Sequence, residues 1–259
     1  ASSAGRGGFW SGRMGKNQLS TINLIMCTFK ERGAIARTMG ADSTAAGLTE
    51  EQAAVYDRQL RVWGVEAQRR LGASRILVAG LTGLAAEACK NVALAGVGAV
   101  VLYDDGAPAK DAAPGNFLAA AGLADAAGTP DAEGLTVAAA TAATLREMNP
   151  FGEISILVGP SDLSGIDVAA VTGCDAVLVA GCPLAVAERI NDACREAGAA
   201  FFHGECRATS ANFFADLGPD FRYTVEKRSA EKEADAGAVD TAMSASFVTL
   251  REATRCGWK

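Results

Sequence analysis

Short apolar runs that alternate with helical stretches most constrain what this chain of 259 residues can fold into. Runs of this length, with no polar face, are typical of strands buried on both sides of a sheet. Alternation of such strands with helices predicts a mostly parallel sheet joined by right-handed crossovers, the α/β class. The predicted strands are residues 75–79, 99–103, 135–139, 154–158 and 176–180.

Helices are predicted between these strands and before the first of them. Thr49 and Gln52 form a capping-box pattern, so a helix is expected from there to about Trp63, where Gly64 interrupts it. A short helix over residues 66–71 follows. Further helices are predicted at residues 85–94, 141–148, 168–172 and 184–197, a hairpin at residues 200–203 and 212–215, and a β-like segment at residues 247–250.

The charge distribution excludes some classes of partner. Residues 1–38 hold six Lys or Arg and one acid, whereas the rest of the chain holds 18 basic and 29 acidic residues. An acidic body argues against nucleic acid, because phosphate neutralisation needs clustered cations. No run of about 18 apolar residues exists, so no membrane span is predicted.

Cysteine and histidine usage speaks against a zinc site. The seven cysteines form no C-x-x-C pair, and His203 is the one histidine. An odd and scattered set in a chain of this size is typical of reduced thiols in the cytosol or nucleus. We therefore expect no bound metal.

The two ends of the chain differ in composition from its middle. Residues 1–47 are rich in Gly, Ser and Arg without periodicity, and Met39 opens a plausible true start; we expect a disordered or spurious leader, with an organelle transit peptide as the alternative. Residues 48–225 form the predicted domain. Residues 226–245 are charged and Ala-rich, so residues 226–259 are predicted to be a linker and the start of a C-terminal segment.

The strand-to-helix turn at residues 80–85 carries a partial nucleotide signature. The pattern G-x-G-x-x-G supplies a tight turn and lets backbone approach phosphate. Here Gly80 keeps the first position, Thr82 replaces the middle glycine next to Gly83, and Ala85 takes the last. Asp104, 24 residues after Gly80, is placed either to bind ribose hydroxyls or to serve as an ordinary turn residue.

Several longer motifs resemble the ubiquitin-like-activating enzymes, the ThiF-type adenylation family. Residues 56–64 (YDRQLRVWG) are similar to the first helix of that family, and residues 66–71, 80–84 and 94–97 continue the similarity in register. Residues 201–204 and 213–218 resemble the branch that holds the small, non-catalytic subunit of the SUMO-activating heterodimer. The resemblance spans roughly residues 48–226.

This resemblance implies a Rossmann-like adenylation domain whose own site has been lost. Active members bind ATP·Mg²⁺ through an Asn, an Arg and a Gln after the ribose carboxylate, then a Lys and a metal-binding Asp. This chain has Ala112, Gly115 and Asn116 at the first three positions, no Lys or Arg between Phe117 and Thr144, and residues 181–183 (GCP) where the Asp is expected. The resemblance therefore implies a pseudo-adenylation domain with no cofactor of its own.

The resemblance also assigns a role to Arg58. In the family this arginine reaches across the dimer to the phosphates that the partner binds, as an arginine finger does. The implied partners are a catalytic subunit that holds ATP and Mg²⁺ and, through it, SUMO and the conjugating enzyme, in the nucleus. The open alternatives are a helix-surface Arg58 paired with Glu50, Glu51 or Asp57, the small subunit of the neddylation-activating enzyme, and a pure scaffold.

Two reactive side chains receive ordinary interpretations. Cys182 follows a strand but has no histidine or cation nearby in sequence, so a buried structural thiol is expected rather than a thioester nucleophile. His203 lies in an apolar run and is expected to pack rather than act as a base. A stand-alone dehydrogenase or sulfur-carrier adenylyltransferase finds no support in these residues.

Overall fold

The computed structural model describes residues 48–112, 115–225 and 241–256 of the chain. Its strands are β1 (Arg75–Ala79), β2 (Ala99–Asp104), β3 (Glu153–Val158), β4 (Ala176–Ala180), β5 (Ala200–Arg207), β6 (Ser210–Asp216), β7 (Phe221–Val225) and β8 (Thr241–Ala245). Its helices are α1 (Glu50–Val55), α2 (Asp57–Gly72), α3 (Gly83–Ala95), α4 (Phe117–Asp125), α5 (Val137–Met148), α6 (Val168–Val171), α7 (Leu184–Ala197) and α8 (Leu250–Thr254).

The central sheet has six strands in the order β3-β2-β1-β4-β5-β6. The first five run parallel and β6 returns antiparallel beside β5. Helices cover both faces: α3 and α5 pack on one core, and α6 and α7 pack on the other. The predicted α/β architecture with a mostly parallel sheet is confirmed. The order reverses between β1 and β4, where such sheets place their ligands.

The predicted strand at residues 135–139 is wrong. The hydroxyl of Thr136 accepts a hydrogen bond from the Ala139 amide and caps α5, which begins at Val137. Leu135 and Val137 are branched or bulky, a bias that favours strands, but the local cap and the alanine run that follows favour a helix. Helix α4 was not predicted, and Asn116 caps it in the same way.

The first helical region also differs in detail from the prediction. The capping box of Thr49 and Gln52 is present, but the helix stops at Val55 and restarts at Asp57. Gly64, with φ 81° and ψ 169°, is not helical, so α2 consists of two helical segments joined at a kink. That backbone conformation is open almost only to glycine, and the predicted interruption at Gly64 is confirmed.

The predicted linker at residues 226–245 is wrong for its last five residues. Thr241–Ala245 forms β8, which pairs antiparallel with β7, so the chain returns to the domain. The β-like segment predicted at residues 247–250 is wrong: residues 247–249 form a loop, and Leu250 begins α8, which a capping box of Thr249 and Glu252 opens. The predicted leader, residues 1–47, and residues 226–240 lie outside the described part of the chain.

A buried polar cluster fixes this C-terminal segment to α7. The carboxylate of Asp216 accepts hydrogen bonds from Asn191 Nδ2 (2.7 Å) and Arg195 Nε (2.6 Å). Asn191 Oδ1 in turn accepts from the Leu250 amide, and Arg195 donates to the Phe247 carbonyl. Because each buried polar group is satisfied by another, the segment is held as part of the domain.

No helix within the described ranges is long and apolar enough to cross a membrane.

Candidate functional site

The turn from β1 to α3 lies at the switch point and approaches β4 closely. Gly80 has φ +68°, and a Cβ there would lie 1.8 Å from the carbonyl oxygen of Ala180 at the end of β4. No side chain fits at this distance. The first glycine of the nucleotide pattern is therefore required for strand packing alone, whatever the turn binds.

Thr82 occupies the middle position of the pattern and takes up room within the crevice. Its hydroxyl accepts from the Ala85 amide (3.5 Å) and caps α3. Its methyl group lies against the loop after β4, where a Cβ on Gly181 would be 2.8 Å from Thr82 Cγ2. The amides that would face phosphate at a helix N-terminus are thus partly engaged by the chain itself.

The crossover after β2 closes on the same turn. A Cβ on Gly83 would lie 3.0 Å from the carbonyl carbon and oxygen of Gly115. Asn116, which is buried, donates from Nδ2 to the Leu81 carbonyl (2.8 Å) and accepts from the Ala119 amide (3.0 Å). Asn116 therefore has two roles: it joins the crossover after β2 to the Gly80–Gly83 turn, and it caps α4.

Asp104 is also engaged internally. Its side chain is buried, and its two oxygens accept hydrogen bonds from the Gly106 amide (2.9 Å) and the Thr136 hydroxyl (2.7 Å). Of the two roles that the sequence left open for Asp104, the structure shows that of a turn residue. Each oxygen of this carboxylate thus already accepts one hydrogen bond from within the chain.

The remaining crevice residues offer neither a metal site nor an activated nucleophile. Within the described ranges no three His, Cys, Asp or Glu side chains are grouped to hold a metal ion. Cys182 is buried, and burial raises the pKa of its thiol, which disfavours the reactive thiolate. Burial lowers the pKa of His203, and its Nε2 has no hydrogen-bond partner in the described structure.

Arg58 lies near the start of α2 and differs from the other arginines of that helix. Arg61 pairs with Asp57 (2.9 Å), and Arg69 and Arg70 both pair with Glu66 (3.0 and 3.1 Å). Arg58 is exposed, and its guanidinium has no hydrogen-bond or ion-pair partner among the residues that the structure describes. The interpretation of Arg58 as one half of a surface ion pair is therefore wrong, because Arg61 takes Asp57.

Polar residues around Arg58 fix α2 to the C-terminal end of α3. Gln59 Nε2 donates to the Leu94 carbonyl (3.0 Å), and Gln68 Nε2 donates to the Ala95 carbonyl (2.8 Å). Trp63 Nε1 donates to Gln68 Oε1 (2.9 Å). Most of the polar side chains in the 56–64 motif therefore have a partner within the chain, whereas Arg58 has none among the described residues.

The residue next to Arg58 lies at the end of α3 opposite the crevice. Gln59 contacts the last turn of α3, whereas the Gly80–Gly83 turn lies at the first. Thirteen helical residues span roughly 20 Å at about 1.5 Å each.

A groove of about 530 Å³ lies at the edge of the central sheet that β3 forms. It runs between β3 and α6 and is lined by Arg75, Glu153, Ser155 and Cys174 among others. Burial raises the pKa of the Cys174 thiol, with Arg75 opposing it, so the groove holds no thiolate. It is separate from both the switch point and Arg58.

Sequence reasoning missed the residues that close the crevice. Thr136, Gly181 and the contact of Asn116 with Leu81 join segments that are distant along the chain. The signals available were the small residues at Gly115 and Gly181, where the resemblance to active adenylation enzymes leads one to expect an arginine and a metal-binding aspartate. Their packing partners become visible only in three dimensions.

Comparison with known proteins gives the same family that the sequence motifs indicated. Residues 56–247 match the model of the ThiF family. The chain is 36% identical to SUMO-activating enzyme subunit 1B-1 of Arabidopsis thaliana over 214 residues, 82% of this chain and 61% of that protein. It is 32% identical to human SUMO-activating enzyme subunit 1 over 191 residues, 74% and 52% of the two chains. The matched part of the chain thus corresponds to about three fifths or less of the length of these relatives. From its fold and the residues that match the family model, the chain belongs to the ThiF family.

Proposed function

We propose that this chain is the small, non-catalytic subunit of a heterodimeric SUMO-activating enzyme that acts in the nucleus. Its catalytic partner would bind ATP and Mg²⁺, adenylate SUMO, carry it as a thioester and pass it to the conjugating enzyme. The neddylation-activating enzyme is the competing assignment. Similarity to SUMO-activating enzyme subunit 1 from both a plant and human favours SUMO.

The contacts that close the crevice support the proposal that this chain binds no nucleotide itself. The residues there do not fit ATP·Mg²⁺: Asp104 is hydrogen-bonded internally, Thr82 fills the middle position, and no Lys or Arg occurs between Phe117 and Thr144. Phosphates need cationic and amide donors, and Mg²⁺ needs carboxylate oxygens. We therefore derive no chemical step in this crevice.

The unpaired Arg58 is the observation that carries the proposal. A guanidinium presents a planar set of donors that matches phosphate oxygens, and it stabilises charge that develops during adenylation. Arg58 has no partner among the described residues, and its neighbour Gln59 contacts the end of α3 opposite the crevice, along a helix roughly 20 Å long. We infer that it completes the ATP site of the partner.

Substitution of Arg58 tests this role in the heterodimer reconstituted from this chain and a catalytic SUMO-activating subunit. We expect Arg58→Ala to slow modifier-dependent ATP–pyrophosphate exchange by tens- to several-hundred-fold, about 2–4 kcal/mol, with assembly intact. Arg58→Lys should recover only part of the rate, because an ammonium cannot reproduce the guanidinium fork.

Arg61→Ala is the matched control, because Arg61 is equally exposed on α2 but already pairs with Asp57. Exchange should stay near the wild-type rate. Undiminished exchange in Arg58→Ala would favour the scaffold alternative. Loss of assembly in that variant would make Arg58 an interface residue and reject the catalytic role.

A further inference from the structure

Tyr56 is the point at which the segment before the Gly64 kink enters the core. Of residues 48–63, all of which the structure describes, Tyr56 alone is buried, with 3% of its surface exposed. The buried residues of α2 all lie beyond the kink: Ala67, Gln68 and Leu71. The orientation of the first segment of α2, which carries Arg58, therefore depends mainly on how Tyr56 is held.

Tyr56 also sets the backbone at which α2 begins. Its amide donates to the carbonyl of Gln52 in α1 (2.9 Å), and its carbonyl accepts from the amides of Gln59 and Leu60 (both 2.9 Å). Arg58 lies in this first turn of α2, two residues after Tyr56. A change in the orientation of Tyr56 is therefore passed to the backbone of Arg58.

Asn149, at the end of α5, holds the Tyr56 side chain. Asn149 is 4% exposed, and its Nδ2 donates to the Tyr56 hydroxyl oxygen (2.9 Å) and to the Ala93 carbonyl in the last turn of α3. Its Oδ1 accepts from the Phe151 amide (2.9 Å), and the Phe151 ring contacts the Tyr56 ring edge-on. One buried and fully hydrogen-bonded amide thus joins α5, α3 and Tyr56.

Gly96, just after α3, leaves the space that the Tyr56 ring occupies. A Cβ on Gly96 would lie 2.8 Å from Tyr56 Cζ and 2.6 Å from Gln68 Nε2. Real Cβ atoms do not approach other atoms this closely, so the ring fills the space beside the backbone of Gly96. The tyrosine is therefore held by close packing as well as by Asn149.

We propose that Asn149 is a positioning residue for Arg58: by holding Tyr56, it fixes the first turn of α2 in the orientation in which the guanidinium reaches phosphates that the partner binds. The inference rests on the proposed function of Arg58. Misplacement of a catalytic contact by about 1 Å can cost about 100-fold in rate. Loss of Asn149 should therefore slow adenylation, although this side chain is too deeply buried to contact a ligand.

A double-mutant cycle in the reconstituted heterodimer tests this role. Asn149→Ala removes the hydrogen bonds to Tyr56 and Ala93, and we expect it to slow modifier-dependent ATP–pyrophosphate exchange by about tenfold. In an Arg58→Ala background the same substitution should change the rate by less than about twofold, because no guanidinium is left to misplace. A merely structural loss would slow both backgrounds alike.

Tyr56→Phe is a milder second variant, because it removes the hydroxyl that Asn149 binds and keeps the ring. We expect exchange to slow by about threefold or more, again only where Arg58 is present. Thr144→Val is the matched control. Thr144 is buried on α5 and its hydroxyl donates to the Leu118 carbonyl (2.9 Å), so this variant loses a buried hydroxyl directed at α4. It should lower the melting temperature but leave exchange within about twofold of wild type.

The outcomes separate this inference from the proposed function. Exchange at the wild-type rate in both Asn149→Ala and Tyr56→Phe would overturn the positioning role. Slowing that is equally large with and without Arg58 would overturn it too, since Asn149 would then act independently of the guanidinium. Both results leave the proposed function in place while Arg58→Ala itself slows exchange. Undiminished exchange in Arg58→Ala would instead reject the proposed function, and the positioning role with it.

Discussion

The two ends of helix α3 use polar groups in opposite ways. At its N-terminal end, Thr82, Asp104 and Asn116 are all paired within the chain. At its C-terminal end, Gln59 and Gln68 donate to carbonyls of α3, whereas Arg58 beside them has no partner among the described residues. The polar groups around the crevice are thus satisfied within the chain, whereas an exposed arginine near the other end of α3, a helix roughly 20 Å long, is not.

The difference shows that the two properties have separate physical origins. Closure results from small residues and short polar side chains that let three loops approach, with Gly80, Gly83 and Gly181 at the contacts. The free arginine results from the allocation of carboxylates, because Asp57 serves Arg61 and Glu66 serves both Arg69 and Arg70. Either property can be changed without the other.

The largest effect on stability is expected at the closed end. Asp104→Ala leaves the Thr136 hydroxyl and the Gly106 amide without their present acceptor. Unsatisfied groups of this kind cost about 2–3 kcal/mol, which urea-induced unfolding measures as a lower midpoint with unchanged slope.

Asp105→Ala is the control for this prediction. Asp105 is adjacent but exposed, and among the described residues its carboxylate accepts a hydrogen bond only from the Ala107 amide, so a change of about 0.5 kcal/mol or less is expected. Equal stability of Asp104→Ala and wild type would mean that Asp104 is not a structural group, and the closed-site interpretation would lose its main contact.

A smaller effect is expected at Gly64, the kink that separates Arg58 from the second segment of α2. A Cβ on Gly64 would meet nothing within 4 Å, so Gly64→Ala tests backbone strain alone. At φ 81° and ψ 169° the strain costs about 1–2 kcal/mol, seen as a lower melting temperature.

Gly134→Ala controls for the loss of glycine itself. Gly134 has equally open space but no positive φ, so its replacement should change stability by about 0.5 kcal/mol or less. If Gly64→Ala were neutral too, the backbone conformation at the kink would not be strained for a residue with a side chain.

The sequence predicted the parts of the fold that depend on local pattern. β1, β4 and α7 have the bounds expected from continuous apolar runs and helical periodicity. The strand expected at residues 135–139 failed because a single cap outweighed β propensity, and β8 was missed because its pairing with β7 spans residues distant in sequence. Arg58 was found through its motif, but its lack of an ion pair depends on which carboxylate each neighbour reaches in space.

The smallest effect is expected at Thr82, although the nucleotide pattern in the sequence suggests that this position should matter most for ATP binding. Thr82→Gly restores the middle glycine of the nucleotide pattern between Gly80 and Ala85. The isolated variant should still fail to bind ATP·Mg²⁺ by calorimetric titration, as should wild type, because Asn116 still ties Leu81 and Asp104 still bonds Thr136. Its stability should fall by only a few tenths of a kcal/mol, the usual difference between threonine and glycine at an N-cap.

A catalytic SUMO-activating subunit titrated under the same conditions serves as the positive control. Micromolar binding by the Thr82→Gly variant alone would show that one methyl and one hydroxyl group close the crevice, and that the other contacts can yield. Micromolar binding by the wild-type chain would remove the contrast between the two ends of α3. A flat titration for both chains would place the barrier in the missing cations and the tied crossover, which no single glycine replaces.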